Sequence, residues 1–160
     1  MTIEIKRVNY DCPDQGADLI FLLNAYALDP MGGGVALSSY TKSNLIRCLS
    51  ERADALSFIA YVDAKPVGLA NCFQNFSSFA CKPVLNIHDF AVLPEYRGRG
   101  VARCLLESIE QEAREQSCCK LTLEVLSGNK TAQKVYRGFG FGAYELDSKT
   151  GQALFWEKPI

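Results

Sequence analysis

Residues Val92–Ala113 carry three signals in an order that constrains the whole chain. A strand-like run stops at Pro94. Arg97-Gly98-Arg99-Gly100 then forms a tight turn, and from Val101 the pattern becomes helical. Val101, Leu105, Ile109 and Ala113 recur every fourth residue with Cys104 and Ser108 beside them, while Glu107, Glu110 and Arg114 take other faces. A strand that feeds an amphipathic helix through so short a turn implies an α/β arrangement, with the helix packed back on its own sheet. Glycines let the backbone approach a ligand closely, and the free N–H groups of a helix start favour phosphate. Arg97 and Arg99 add positive charge, so the turn reads as a pyrophosphate cradle. The dinucleotide pattern GxGxxG fails because Arg103 stands at its third glycine, and no GxxxxGK followed by Ser or Thr exists.

The chain has 160 residues, the size of one domain, 1–160, able to bury roughly 70% of its unfolded surface without a staple. Lys and Arg number 17 against 18 Asp and Glu, which argues against nucleic acid as a partner. The start, MTIEIKR, shows no signal-peptide core. The longest apolar run, Leu19–Leu28, is broken by Asn24 and is about half the length a bilayer requires. No membrane association and a cytoplasmic location are therefore expected. Of seven cysteines none forms a CxxC pair, and His88 is the single histidine, so no metal is expected and the thiols read as buried and free. Cys118-Cys119 reads as packing rather than a redox pair.

Ile3–Val8 alternates as a strand. Asp11 and Asp14 offer caps to a helix over Ala17–Leu28, which Asp29-Pro30 ends, and Met31-Gly32-Gly33-Gly34 reads as a flexible loop. A second helix fits Lys42–Ala53. Leu56–Val62 and Val67–Phe76 read as a hairpin, followed by a strand at Val84–Leu93. Beyond the central helix, Lys120–Leu126 reads as a strand and Lys130–Gly138 as a short helix. Ala143–Asp147 and Ala153–Lys158 read as a closing hairpin about Ser148–Gly151. The expected fold is α/β: a mixed, mostly antiparallel sheet of about seven strands flanked by four helices, in the order β-α-α-β-β-β-α-β-α-β-β.

Arg97–Ala102 also fits the R/Q-x-x-G-x-G/A signature of the GNAT acetyltransferase superfamily. A second stretch, with Asn129, Ala132, Tyr136 and Gly138-Phe139-Gly140-Phe141, resembles that family at the correct separation. The close likeness runs from Ile87 to Phe141, about a third of the chain. The resemblance implies acetyl-CoA as co-substrate. The amides of Arg97, Gly98, Arg99, Gly100, Val101 and Ala102 would hold its pyrophosphate. Phe90, Ala91 and Val92 would lie along the pantetheine as an added strand, and Asn129, with Ala132 beside it, would meet the pantetheine arm. A homodimer is implied too, the family being often dimeric. The last stretch, Thr150–Trp156, resembles small diamine acetyltransferases, which favours a small amine as acceptor.

Acetyl transfer to an amine requires a neutral amine and a proton for the departing thiolate. An amine of pKa near 10.4 is neutral about once in 2,500 molecules at pH 7, a cost of about 4.6 kcal/mol. By the same resemblance Tyr136, its hydroxyl facing the coenzyme sulfur, is the candidate acid, and His88, standing where polyamine acetyltransferases carry a glutamate, is the candidate base. Ordered water is the competing base, and a core hydrogen bond the competing role for His88. In a regular strand Asn86, His88, Phe90 and Val92 share one face and Asp89 the other, unless a bulge intervenes. Asp89 reads as a charge anchor for a cationic acceptor or as the partner of a backbone amide. Tyr26 and Asp29 stand where the family shapes its acceptor pocket, although Asp29-Pro30 also serves as a plain helix stop. Tight acyl-CoA binding without transfer would mark a second reading, a non-catalytic sensor on the same fold.

Overall fold

The computed structural model describes residues 2–147 and 149–160, which fall into two compact units, one running to Leu123 and the other Glu124–Ile160. In the first, strands β1 (Ile3–Arg7), β2 (Ala55–Val62), β3 (Lys65–Ser77), β4 (Lys82–Val92) and β5 (Leu121–Leu123) form one sheet in the order β1-β2-β3-β4-β5. The first four are antiparallel, and β5 joins β4 in parallel. Helices α1 (Pro13–Leu28), α2 (Ser39–Ser50) and α3 (Val101–Glu115) complete this unit, and α4 (Lys130–Phe139) belongs to the second.

Strand alternation sorts the core onto two faces. Ala55, Ile59, Tyr61 and Leu69 join Leu19, Leu22 and Leu23 of α1 and Leu49 of α2 in one buried cluster. The intervening residues Phe58, Ala60, Ala70 and Cys72 point the other way, towards α3, whose Leu105 packs beside Gly68. The α3 positions Val101, Leu105, Ile109 and Ala113 are buried, as the four-residue recurrence predicts. Expected caps differ. Cys12 precedes α1 with Pro13 at its first turn, and Ser38, accepting from the Thr41 N–H, starts α2 three residues earlier than expected. Phe21, within the apolar run of α1, is 53% exposed.

The sheet has five strands rather than about seven, and the element order ends at α4. In the expected closing hairpin only Glu145 and Gln152 bridge. Asp147 does close a turn, accepting from the N–H groups of Lys149 and Thr150, while Ser148 lies outside the described residues. The flanking Leu154, Phe155 and Trp156 are all exposed. A two-stranded ribbon with neither face covered is marginal in water, so alternation there does not develop into strands. The thiols correct a second expectation. All seven cysteines are free, but only Cys72 is buried, while Cys48, Cys81 and Cys119 are exposed. Among the described residues no helix is long and apolar enough to cross a membrane, and no cluster of His, Cys, Asp and Glu could hold a metal ion.

Candidate active site

Strand β4 changes character half-way. Its first half lies between two strands, with Leu85, Asn86 and Ile87 opposite Leu121, Thr122 and Leu123 of β5. Beyond Ile87 only β3 accompanies it. The change coincides with a register shift: Cys72 faces Ile87 and Asn71 faces Asp89, leaving His88 as an extra residue. A bulge of this kind bends its strand and increases the local twist, which carries β4 away from the line of β5.

The bulge also decides what faces where. His88 lies edge-on to Phe73 at 5.5 Å between ring centroids, on the α1 side of the sheet. Asp89 is on that side as well, because it is the register partner of Asn71 and accepts a 3.0 Å hydrogen bond from its Nδ2. A regular strand would have separated the two. Phe90 and Val92 accordingly turn to the α3 side, and Ala91, opposite Leu69, faces α1. His88 is exposed, which sets aside the expected core hydrogen bond as its role.

The end of α1 faces the same place. Tyr26 is half-buried, and its hydroxyl pKa is raised by burial first, then by the charges of Asp89 and Asp29. Asp29 is doubly engaged. Its Oδ1 accepts from the Met31 N–H at 2.9 Å and its Oδ2 from Arg97 Nη2 at 2.8 Å. The arginine first, and the Met31 N–H next, hold the Asp29 carboxyl below its ordinary range. The expected flexible loop is thus a short 3-10 helix, Pro30–Gly32, started by Asp29. Gly32 is required there, since a Cβ would collide with the Tyr26 carbonyl. The Arg97 side chain spans Asp29 and the Val92 carbonyl, which accepts from its Nε at 2.9 Å, while its backbone amide belongs to the glycine turn. Both carboxylate oxygens of Asp29 are thus engaged within the chain.

The glycine turn itself is open. Gly98 and Gly100 have φ of 73° and 87°, the left-handed region, and α3 begins at Val101 with no side-chain cap. Its first N–H groups therefore keep no partner within the helix. A Cβ at either glycine would meet nothing within 4 Å, so backbone conformation rather than crowding selects glycine there. Arg99 lies over the Tyr96 ring at 5.5 Å. In the second unit Asn129 starts α4, its Oδ1 accepting from the Ala132 N–H at 3.1 Å. Tyr136 is buried on α4, edge-on to Phe141.

This combination, a bulged strand leaving its parallel neighbour and then an uncapped helix start behind left-handed glycines, coincides with a match of residues 23–141 to the Acetyltransferase (GNAT) family. The chain belongs to the GNAT acetyltransferase family. Acetyl-CoA is the co-substrate of such enzymes. Among its relatives, streptothricin acetyltransferase of Streptomyces lavendulae is 36% identical over 61% of this chain and 50% of that protein. Aminoglycoside N(6')-acetyltransferase type 1 of Salmonella typhimurium is 28% identical over 67% of this chain and 72% of its own. The chain spans 35% to 50% of the length of three further-ranging curated relatives, the streptothricin enzyme included. In fold it resembles AAC(6')-Iy, solved with the bisubstrate analogue CoA-S-monomethyl-acetylneamine, at a TM-score of 0.77 and 20% identity over 100% of both chains.

Sequence reasoning missed one part of this GNAT site. Asn71 and Ser57, both almost fully buried, stand on the α1 face of β3 and β2 beside Asp89. A polar residue at the core-facing register of each of two apolar strands was the available signal.

Proposed function

We propose that this chain is an N-acetyltransferase that moves the acetyl group of acetyl-CoA directly to a primary amine of a small molecule within a ternary complex, residues 1–160 acting as one domain. The observation that carries this reading is the parting of β4 from β5 at Ile87, followed at once by the uncapped start of α3. An extended pantetheine fits beside Ala91 and Val92 as an added strand, and a pyrophosphate fits the amides from Gly98 to Ala102. Arg99 adds charge to this turn, whereas Arg97 supports it from behind. The family match spans both compact units.

The reaction uses this chain's residues in sequence. Asp89 and Tyr26 receive a cationic acceptor, and His88 or a water beside it takes the ammonium proton. The amine nitrogen bonds to the thioester carbonyl carbon, the C–S bond breaks, Tyr136 donates its hydroxyl proton to the departing sulfur, and the second proton shed by the nitrogen as it becomes an amide passes through water to restore the Tyr136 hydroxyl. Asn129 holds the pantetheine arm while capping α4. A small acceptor with several amines is supported by the names of the relatives, which act on streptothricin and aminoglycosides, and by the carboxylates near Tyr26. A homodimer and a cytoplasmic location belong to the same proposal and rest on the sequence reading alone.

The test is thiol release from acetyl-CoA across polyamines, aminoglycosides, amino acids and a lysine-rich peptide. Release that depends on one class of small amine is expected. Acetyl-CoA that protects the fold against heat without release to any amine would favour the sensor. Tyr136→Phe should lower turnover with saturating amine by 10²–10⁴-fold, and an unchanged rate would remove Tyr136 from the mechanism.

A further inference from the structure

A row of hydrogen bonds crosses the sheet and ends on Asp89. Ser57 of β2, Asn71 of β3 and Asp89 of β4 are direct register partners, so their side chains stand in line on the α1 face. Tyr10, just beyond β1, reaches the same line, its hydroxyl 2.8 Å from Ser57 Oγ. Ser57 Oγ donates to Asn71 Oδ1 at 2.6 Å, and Asn71 Nδ2 donates to Asp89 Oδ2 at 3.0 Å. A serine has one hydroxyl proton, and Asn71 takes it, so Tyr10 must be the donor to Ser57. Every proton in the row therefore points towards the carboxylate. The direction also fixes the Asn71 amide: with Oδ1 held by Ser57, only Nδ2 can face Asp89.

Nothing about the fold requires this row. Its neighbours on the same face are Ala55, Ile59, Leu69 and Phe73, and apolar side chains of similar size would close the sheet without burying polar atoms. Ser57 and Asn71 are 1% and 3% exposed, and among the described residues no buried polar side-chain atom is left unpaired. The row ends at the bulge, where the sheet stops being regular and the acceptor side of the site begins. Tyr26 of α1 faces Asp89, and among the described residues no Lys or Arg forms an ion pair with it. The only hydrogen bond to Asp89 among the described residues is that from Asn71, and Oδ1 carries none.

We propose that Asn71, its amide set by Ser57 and Tyr10, is a positioning residue that holds Oδ2 of Asp89 and so leaves the other carboxylate oxygen turned towards a cationic acceptor. The inference rests on the acceptor role given to Asp89 above. A hydrogen bond to a charged group corresponds to at least about tenfold in an equilibrium.

Two readouts test the idea separately. The first is the binding of spermidine and of an aminoglycoside to the intact chain loaded with CoA, followed by calorimetry, which needs no turnover. Asn71→Ala should weaken the tighter of the two roughly tenfold, and Ser57→Ala, which frees the amide to rotate, should weaken it less. Unchanged binding in both folded variants, or no binding of either amine to the parent chain, overturns the proposal. The second readout is acceptor KM for the best amine. Asn71→Ala should raise it roughly tenfold with acetyl-CoA KM unchanged, and in an Asp89→Asn background the same substitution should change it less than about twofold. Equal losses in both backgrounds would show that Asn71 acts only on the fold, and would overturn the proposal. An Asp89→Asn variant with unaltered acceptor KM would remove the anchor itself and the positioning role with it. A chain that transfers to no amine would sink the enzyme reading while calorimetry still decided whether Asn71 governs the binding of a cation at Asp89. Should Asn71→Ala melt early, Asn71→Ser, which keeps a donor, should recover part of the affinity if the hydrogen bond is the cause.

Discussion

The two halves of β4 have the same backbone and opposite purposes. From Leu85 to Ile87 it is an interior strand between β3 and β5: Leu85 and Ile87 are buried, and Asn86 donates to Thr122 Oγ1 of β5 at 3.1 Å. From His88 to Val92 it has a strand on one side only, and its last carbonyl is taken by the Arg97 side chain. One extra residue separates a segment that holds the sheet together from one that can bind. The register shift between β3 and β4 thus turns His88 and Asp89 to the same face shortly before α3 starts.

If the bulge creates the open half, its removal should have the largest effect. Deleting His88 would leave Ile87 and Asp89 in regular sequence opposite Cys72 and Asn71, so the strand would lose the bend by which it departs from β5. Acetyl-CoA binding, followed by calorimetry, should be lost while the melting temperature holds. His88→Ala keeps the extra residue and should keep acetyl-CoA affinity. Equal affinity in the deletion and in His88→Ala would show that the bulge does not make the cleft. His88→Gln refines the comparison within the open half. It should lower turnover with saturating amine, and an unchanged rate would assign the base role to water.

The paired half should respond in the opposite manner. Ile87 is 2% exposed, and Ile87→Ala should cost about 2–5 kcal/mol of stability in chemical denaturation. The rate per folded molecule should change little, because the side chain points away from the α1 face. A fall in kcat/KM at full folding would mean that the two halves are less separate than their pairing implies.

This division was half legible in the sequence. The turn and α3 could be read because each rests on local chemistry: glycines for left-handed φ, and a four-residue period for one buried face. The bulge could not. Ile87-His88-Asp89-Phe90 sets two polar residues side by side, which allows a bulge without placing it, and only the partner Cys72-Asn71 on β3 shows where a residue is left over. The pairing of Asp29 with Arg97 is hidden for the same reason, since it joins positions 68 apart in sequence. At the C-terminus the opposite error arose. Alternation in Ala143–Lys158 suggested strands, but with Leu154 and Phe155 exposed there is no apolar burial to hold them together.

The smallest expected effect concerns what holds the open half in place of a strand. Arg97 fastens Val92 to Asp29, and its side chain is 49% exposed, so the pair should contribute no more than about 1 kcal/mol. Its pH dependence has a definite sign. The folded-state carboxyl of Asp29 lies below its ordinary value, held there by Arg97 first and the Met31 N–H second. Its contribution to stability is therefore complete above that ordinary value and disappears as pH falls through the lowered one. Asp29→Asn keeps an oxygen for the Met31 N–H but not the charge. Chemical denaturation should find the variant slightly less stable at neutral pH, indistinguishable from the parent in strong acid, and closer to it as salt is raised. A gap of constant size from neutral pH into strong acid would mean that Asp29 acts through the shape of the Pro30–Gly32 turn. Arg97 would then hold Val92 without help from its carboxylate.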